Sequence, residues 1–301
     1  MFRNTLEESF KMIAERKNKA IILFAVLVFL DVYVWVNIVG AARMMENLEL
    51  YFLSVGQGDG ALVILPGGVK ILIDGGPING KLTNELSKIF LPTDHYLDMV
   101  MISHPQLDHF GGIIDILKNY KVGVFLFNGV SGTAKAFGDL KDNLEKNKIK
   151  QVVLLKGDKI SYRESEINII WPEAKYLKSK ELNDTTLVTE LISQNSKIVF
   201  TGDIDAKIEE RILKFYNSPI DILKVAHHGS RFSTSEKFLA ALRPKLAFIE
   251  VGKNSYGHPT DIVLNRLKKY NAKIYRADKD GTMKVVIDGE KMRVFGLGSG
   301  R

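Results

Sequence analysis

The 301-residue sequence contains no cysteine. This absence excludes a disulfide-stapled fold, a thiolate zinc ribbon and a thiol nucleophile. A strong charge of one sign is also missing. Lys and Arg number 42 against 35 Asp and Glu, and 36 against 31 remain after residue 45. So mild a basic bias is compatible with a polyanionic substrate without specifying one. No low-complexity linker divides the chain after Leu48, and at 46% hydrophobic residues disorder is excluded. Length alone allows one large α/β domain or two small ones, either with a substantial core.

One long hydrophobic run is present. Ala20 to Val39, AIILFAVLVFLDVYVWVNIV, is apolar nearly throughout and is long enough to cross a bilayer as a helix. A buried core helix would show a polar stripe, whereas this run offers only Asp31 and Asn37. Asp31 is the objection, since a carboxylate at mid-bilayer costs roughly 2.5–3.5 kcal/mol unless protonated or paired. Arg3, Lys11, Arg16, Lys17 and Lys19 precede the run and only Arg43 closely follows. This asymmetry predicts a cytoplasmic segment over 1–19, a single-pass anchor over 20–42 and an extracytoplasmic domain over 48–301. Secretion after signal-peptide cleavage at Val39-Gly40-Ala41 is the alternative, although the apolar run exceeds the usual 7–15 residues of a signal.

From Leu48 the pattern is α/β. Val- and Ile-rich runs at 48–55, 61–65, 69–74, 98–103, 186–192, 197–203, 221–227 and 245–251 read as strands. Helix-period segments lie at 81–91, 110–119, 133–147, 204–216, 233–242 and 260–270. A weak internal echo links the two halves. VKILIDGG ends at Asp74 and the following strand delivers His104; KIVFTGD ends at Asp203 and DILKVA delivers His227 and His228. Each half thus presents a carboxylate and then imidazoles at strand carboxyl ends, where α/β folds place ligands.

Five of the six histidines, His104, His109, His227, His228 and His258, sit at strand ends or in Gly/Pro turns, and His95 stands apart. In SHPQLDHFGG, His104, Asp108 and His109 lie within six residues of a strand-to-helix loop. One short excursion of backbone can aim them at a common point. Imidazole and carboxylate without thiolate suit Zn²⁺, Mn²⁺ or Fe. The alternative is a plain helix N-terminus capped by Asp108. Gly111 and Gly112 would let neighbouring backbone approach closely. SVGQGDGA (54–61) is glycine-rich but lacks the Gly-Lys-Ser/Thr ending of a phosphate loop, and a turn whose Asp59 faces the cleft fits better.

These segments resemble the metallo-β-lactamase superfamily, whose signature is H-x-H-x-D-H. Within it the chain is similar to the hydrolase domain of ComEC-type competence proteins, which take up DNA. The resemblance covers roughly Leu48 to Val286 and rests on FLSVGQGDGALVI, ILIDGGP, ISHPQLDHFGG, LNDTTLV, VFTGDID, LKVAHHGSRFSTS, GHP and DKDGTM, in the family's order. It implies a four-layer αββα sandwich, preceded here by one transmembrane helix, and a metal-dependent hydrolase with one or two Zn or Mn ions. Position by position, His104 would ligate the first metal, Asp108 and His109 the second, Asp203 would bridge, and His228 (or His227) would complete the second site. Asp74 resembles the carboxylate that orients the cluster from behind. Two positions depart from the pattern: Gln106 replaces the second histidine and Asn183 the downstream one. Both are weak neutral oxygen donors, so one tight and one labile metal are expected.

The ligand set implies ion-activated water attacking phosphorus. Asp108 would divide its role between ligation and holding that water, and His258, with His227 second, would give a proton to the leaving oxygen. His258 could instead be a turn residue fixed by Pro259. Ser230, Arg231 and Ser233 could hold a phosphate, or the serines could merely cap the next helix. The leading expectation is a phosphodiesterase or nuclease acting on DNA, with the membrane as the second partner. The alternatives are hydrolysis of a small or cell-surface phosphodiester and a catalytically silent DNA-binding module of an envelope complex.

Overall fold

The computed structural model describes residues 12, 17–19, 21–36, 46–216, 218–289 and 291–297. The chain divides into two units, Met1–Glu46 and Asn47–Arg301. Within the first unit, helix α1 (Lys17–Val36) is 20 residues long and apolar enough to cross a membrane. Its large side chains, Phe24, Phe29 and Trp35 among them, are exposed. At 1.5 Å per residue it would span about 30 Å, the thickness of a hydrocarbon core. The expected anchor residues Ala20 and 37–42, the flanking charges Arg3, Lys11, Arg16 and Arg43, and the signal-cleavage motif all lie outside the described residues.

The second unit is built on two mixed sheets. Its first eight strands in chain order are β1 (Leu48–Phe52), β2 (Ala61–Ile64), β3 (Lys70–Ile73), β4 (Tyr96–Met101), β5 (Lys121–Phe127), β6 (Lys150–Val153), β7 (Lys159–Tyr162) and β8 (Ser165–Trp171). There follow β9 (Val188–Ser193), β10 (Ser196–Phe200), β11 (Ile222–Lys224), β12 (Leu246–Ile249), β13 (Lys273–Arg276), β14 (Thr282–Asp288) and β15 (Lys291–Leu297). One sheet has the order β15-β14-β1-β2-β3-β4-β5-β6, the other β13-β12-β11-β10-β9-β8-β7.

Alternation along the strands sends one set of side chains between the sheets. Leu48, Leu50 and Phe52 of β1 meet Ile167, Ile169, Ile198 and Phe200 of the other sheet in a shared core. The opposite face of the first sheet buries Leu62, Leu72 and Val100 against α2 (Lys81–Ile89), α3 (Leu107–Ile116) and α4 (Lys135–Lys146). The outer face of the second sheet is covered by α5 (Ala206–Ile212), α6 (Glu236–Leu242) and α7 (Asp261–Lys269) through Ile208, Phe238, Leu239 and Val263. A short helix, α8 (Ala277–Asp280), leads into β14.

The internal echo has a structural counterpart. β3 and β4 pair in parallel through the α2 crossover, and β10 and β11 pair in parallel through α5. Carboxyl ends of neighbouring parallel strands point the same way, so Asp74 and His104 emerge together, as do Asp203 and His227–His228. Among the boundaries that move, one bears on the site: α3 begins at Leu107 rather than 110. Asp108 and His109 therefore sit in its first turn, and the cap position is Gln106, which makes no side-chain cap bond. Asp108 is not the cap.

Candidate metal centre

The site is assembled from four chain segments. After β4 the backbone turns through Ser103-His104-Pro105 and enters α3, which carries Asp108 and His109 on its exposed and buried sides respectively. Gly112 of α3 faces the loop after β3 so closely that a Cβ there would lie 2.2 Å from the Gly75 carbonyl oxygen. This close approach draws His109 against Asp74. After β10 comes Asp203, and after β11 the backbone places His227 and His228 at φ of 50° and 52°. Asp74 has φ 59°. Left-handed backbone costs a non-glycine residue about 1–2 kcal/mol, and three such residues side by side at one site mark geometry held by its surroundings.

Four ligand atoms, one each from Asp108, His109, Asp203 and His228, lie within 4.8 Å of one another. His109 Nε2 is 3.4 Å from Asp203 Oδ2. His228 Nε2 is 3.5 Å from Asp108 Oδ2 and 3.6 Å from Asp203 Oδ2. The outer nitrogens are committed elsewhere. His109 Nδ1 donates to Asp74 Oδ2 at 3.0 Å, and His228 Nδ1 donates to the Glu250 carbonyl at 2.8 Å. Asp74 is fixed in turn by the Ser103 N–H at 2.7 Å. These bonds turn both Nε2 lone pairs inward, the usual arrangement of a metal-ligating imidazole.

His109 Nε2, His228 Nε2 and Asp203 Oδ1 are buried and lack hydrogen-bond partners. Buried polar atoms without partners are costly, and a divalent cation among them would relieve that cost. The donor set of two imidazoles and two carboxylates fits Zn²⁺, Mn²⁺ or Fe. Electrostatics agree. Burial disfavours charge on His228, but Asp203 and Asp59 outweigh it and push the imidazole up to about 10. His109 is raised in the same way by Asp203, Asp74 and Asp59. Burial is likewise overcome at Asp203, which His228 and His109 hold well below the usual carboxylate range. The cluster attracts positive charge.

His104 is completely buried, with its ring centroid 4.2 Å from that of His109. It lies outside the four-residue group, although its Nε2 is likewise buried without a partner. Burial, followed by the charge on His109, pulls it down to about 3. Its Nδ1 is 3.0 Å from Ser103 Oγ. Gln106 Nε2 donates to Asn183 Oδ1 at 2.8 Å, so the two departures from the family motif bond to each other.

A cleft of about 480 Å³ opens over the group, lined by Gln57, Gln106, Asp108, His227, Tyr256 and His258 among others. His227 Nε2 is 3.8 Å from Asp203 Oδ2, and its ring centroid is 5.7 Å from that of His258. Tyr256 is 72% exposed at the rim. Two expected phosphate binders stand elsewhere. Ser230 is buried and its hydroxyl accepts from the Phe232 N–H, while Arg231 stacks on Phe232 and is not part of the cleft lining. Ser233 donates to the Ala226 and Ser230 carbonyls, and the helix cap is Ser235. The Ser230, Ser233 and Ser235 hydroxyls resolve as turn and cap bonds because the chain reverses there.

Sequence reasoning missed what lies underneath. Asp59 is buried, not facing the cleft, and pairs with the ammonium of Lys224, itself only 2% exposed. Asp59 Oδ1 is also 3.1 Å from His228 Nδ1. Burial would raise Asp59, yet Lys224 and then His228 hold it down at about 2. Glu250, at the end of β12, is pushed up to about 8 by burial and by Asp59. The available signal was a single lysine within the apolar strand DILKVA: an interior strand covered on both faces can carry an ammonium only if it is paired.

Residues 54–252 match the family model described as Metallo-beta-lactamase superfamily. The chain is 32% identical over 190 residues to ComE operon protein 3 of Bacillus subtilis, covering 62% of this chain and 24% of that protein. It is 26% identical over 250 residues to competence protein ComA of Neisseria gonorrhoeae, covering 82% of this chain and 32% of that one. The chain thus spans about a quarter to a third of these relatives. Among solved structures, CmlA, a diiron beta-hydroxylase from Streptomyces venezuelae, superposes with a TM-score of 0.52 at 14% identity, over 84% of this chain and 54% of that one. At that identity the likeness concerns the fold alone, and a fold does not fix chemistry. By its matched segment and by the His/Asp group its two sheets bring together, this chain belongs to the metallo-beta-lactamase superfamily.

Proposed function

We propose that the chain is a membrane-anchored, metal-dependent phosphodiesterase that cuts DNA outside the cytoplasm. The observation that carries this reading is the convergence of Asp108, His109, Asp203 and His228 at the floor of a cleft. The competence relatives supply the link to DNA, and helix α1, with basic residues before its apolar run in the sequence, supports the anchor.

A divalent ion held by the four residues would lower the pKa of a water molecule from 15.7 towards about 7 and draw charge from the phosphoryl oxygens. The remaining work falls to the chain. Asp74 and the Glu250 carbonyl keep the two ligand imidazoles in register. Asp108, whose side chain is 35% exposed, reaches the cleft and can take the proton of the attacking water. Both proton donors considered for the leaving oxygen, His227 and His258, line the cleft, and His227 Nε2 is 3.8 Å from Asp203 Oδ2. Burial, followed by the charges on His227 and His228, pulls the His258 imidazole down. Tyr256 offers an exposed ring on which a base could stack.

The second reading, a small or cell-surface phosphodiester, is favoured by one observation: among the described residues the cleft lining includes no Lys or Arg. A fluorescent oligonucleotide and glycerophosphocholine, each incubated with the protein in Mn²⁺ buffer, separate the two. Cleavage of the oligonucleotide, abolished by Asp203→Ala and by His109→Ala, is the expected result. Turnover of the choline ester alone would replace DNA as substrate, and metal binding without turnover of either would favour a silent module. For topology, protease added to intact cells should digest the domain; protection would overturn the outward orientation.

A further inference from the structure

The two positions at which this chain departs from the superfamily motif are not independent losses. Gln106 opens α3 in the first sheet's half, and Asn183 lies in the 3-10 turn Leu182–Thr185 before β9 in the other. They are 77 residues apart in sequence, yet Gln106 Nε2 donates to Asn183 Oδ1 at 2.8 Å. Of the donors that would form the first metal position, the Asn183 carbonyl oxygen therefore already accepts one N–H, and the Gln106 amide that supplies it is turned towards Asn183. His104 Nδ1 is 3.0 Å from Ser103 Oγ, and its buried Nε2 has no partner.

What remains for an ion at the first position is one imidazole, His104, and a share of Asp203. Zinc-type sites use three or four protein ligands. The second position, by contrast, keeps four donors within 4.8 Å of one another, two imidazoles and two carboxylates. We propose that the Gln106–Asn183 amide pair occupies the first metal position with a hydrogen bond, so that the chain holds a single divalent ion, in the Asp108–His109–Asp203–His228 group. This rests on the metal-dependent reading above. The pair ties the residue that opens α3 to the turn before β9, and so one sheet's half to the other's.

The test is Mn²⁺ binding to the full chain in detergent, followed by isothermal titration and by the electron paramagnetic resonance of bound Mn²⁺. One equivalent per chain is expected, with the spectrum of an isolated ion up to Mn²⁺ concentrations about a hundredfold above the dissociation constant. Gln106→His combined with Asn183→His should raise the stoichiometry to two and produce the spectrum of an exchange-coupled pair. Two equivalents in the unaltered chain, with a coupled spectrum, would overturn the single-ion assignment while leaving the metal-dependent reading intact. No bound Mn²⁺ or Zn²⁺ at all would overturn both. The unaltered protein alone decides the matter, so the outcome does not depend on the double variant folding.

Discussion

Lys224→Met is the perturbation that most directly probes how the site is supported. The Lys224 ammonium lies in interior strand β11, almost fully buried, against Asp59 and 3.3 Å from the Gly202 carbonyl. Methionine keeps the volume and removes the charge, leaving the Asp59 carboxylate buried with only His228 and, at 3.7 Å, His109 near it. Breaking a buried ion pair by removing one partner costs about 3–5 kcal/mol. For a domain of this size each kcal/mol corresponds to roughly 2–4 °C, so the melting temperature of the chelator-treated chain should fall by on the order of 10 °C. The loss has a pH signature. Lys224 is what chiefly holds Asp59 down at about 2; without it burial raises that carboxyl, which can then neutralise itself by taking a proton. The deficit relative to the unaltered protein should therefore shrink as pH falls from 7 towards 5. Adding Asp59→Asn to Lys224→Met should recover part of the loss. A melting temperature within about 1 °C of the unaltered protein at pH 7 would refute the argument.

Other outcomes follow from the same network. His109 and His228 both have raised pKa values before an ion binds, so an incoming Mn²⁺ must displace their protons. Affinity should rise with pH between 6 and 8, by up to tenfold per unit for each proton displaced; a flat titration would remove the two imidazoles from the ligand set. The raised His228 also predicts that chelator-treated protein loses stability as pH rises from 6.5 through about 10, because the charged form is favoured by the fold. Denaturant midpoints across that range check it, and a midpoint rising with pH would contradict it. Asp74→Asn weakens the bond that orients His109 and should raise the Mn²⁺ dissociation constant about 10–100-fold with little change in secondary structure. Circular dichroism and titration calorimetry together test that split. Gly112→Ala would drive a Cβ into the Gly75 carbonyl and should cost roughly 1–3 kcal/mol, read by urea unfolding.

The strands that bear chemistry were the ones legible from composition, and the reason is burial. β3, β10, β11 and β12 lie in the interiors of their sheets and read as short Val, Ile, Leu and Phe runs, whereas β5 (KVGVFLF) and β14 (TMKVVID), interior as well, are broken by Gly123 and Lys284 and escape that reading. β6, β7, β13 and β15 sit at sheet edges, where one flank faces solvent and lysines and serines dilute the pattern. They gave no run long enough to mark. β8, between β7 and β9, alternates buried and half-buried residues, SEINIIW, and its Glu166 and Asn168 interrupt the apolar run.

Sequence by itself determined which side chains could meet an ion, because strand ends and a glycine-backed helix start place His104, Asp108, His109, Asp203 and His228 by local rules of chain reversal. It also determined the apolar helix before the domain, since hydropathy over twenty residues needs no tertiary context. Only the tertiary structure decided which of these groups share one point, that Lys224 and Asp59 underlie it, and that Gln106 answers Asn183 from the opposite sheet. Each of those pairs joins residues 77 or more apart along the chain, and their distances are set by how two sheets pack, which no local pattern encodes.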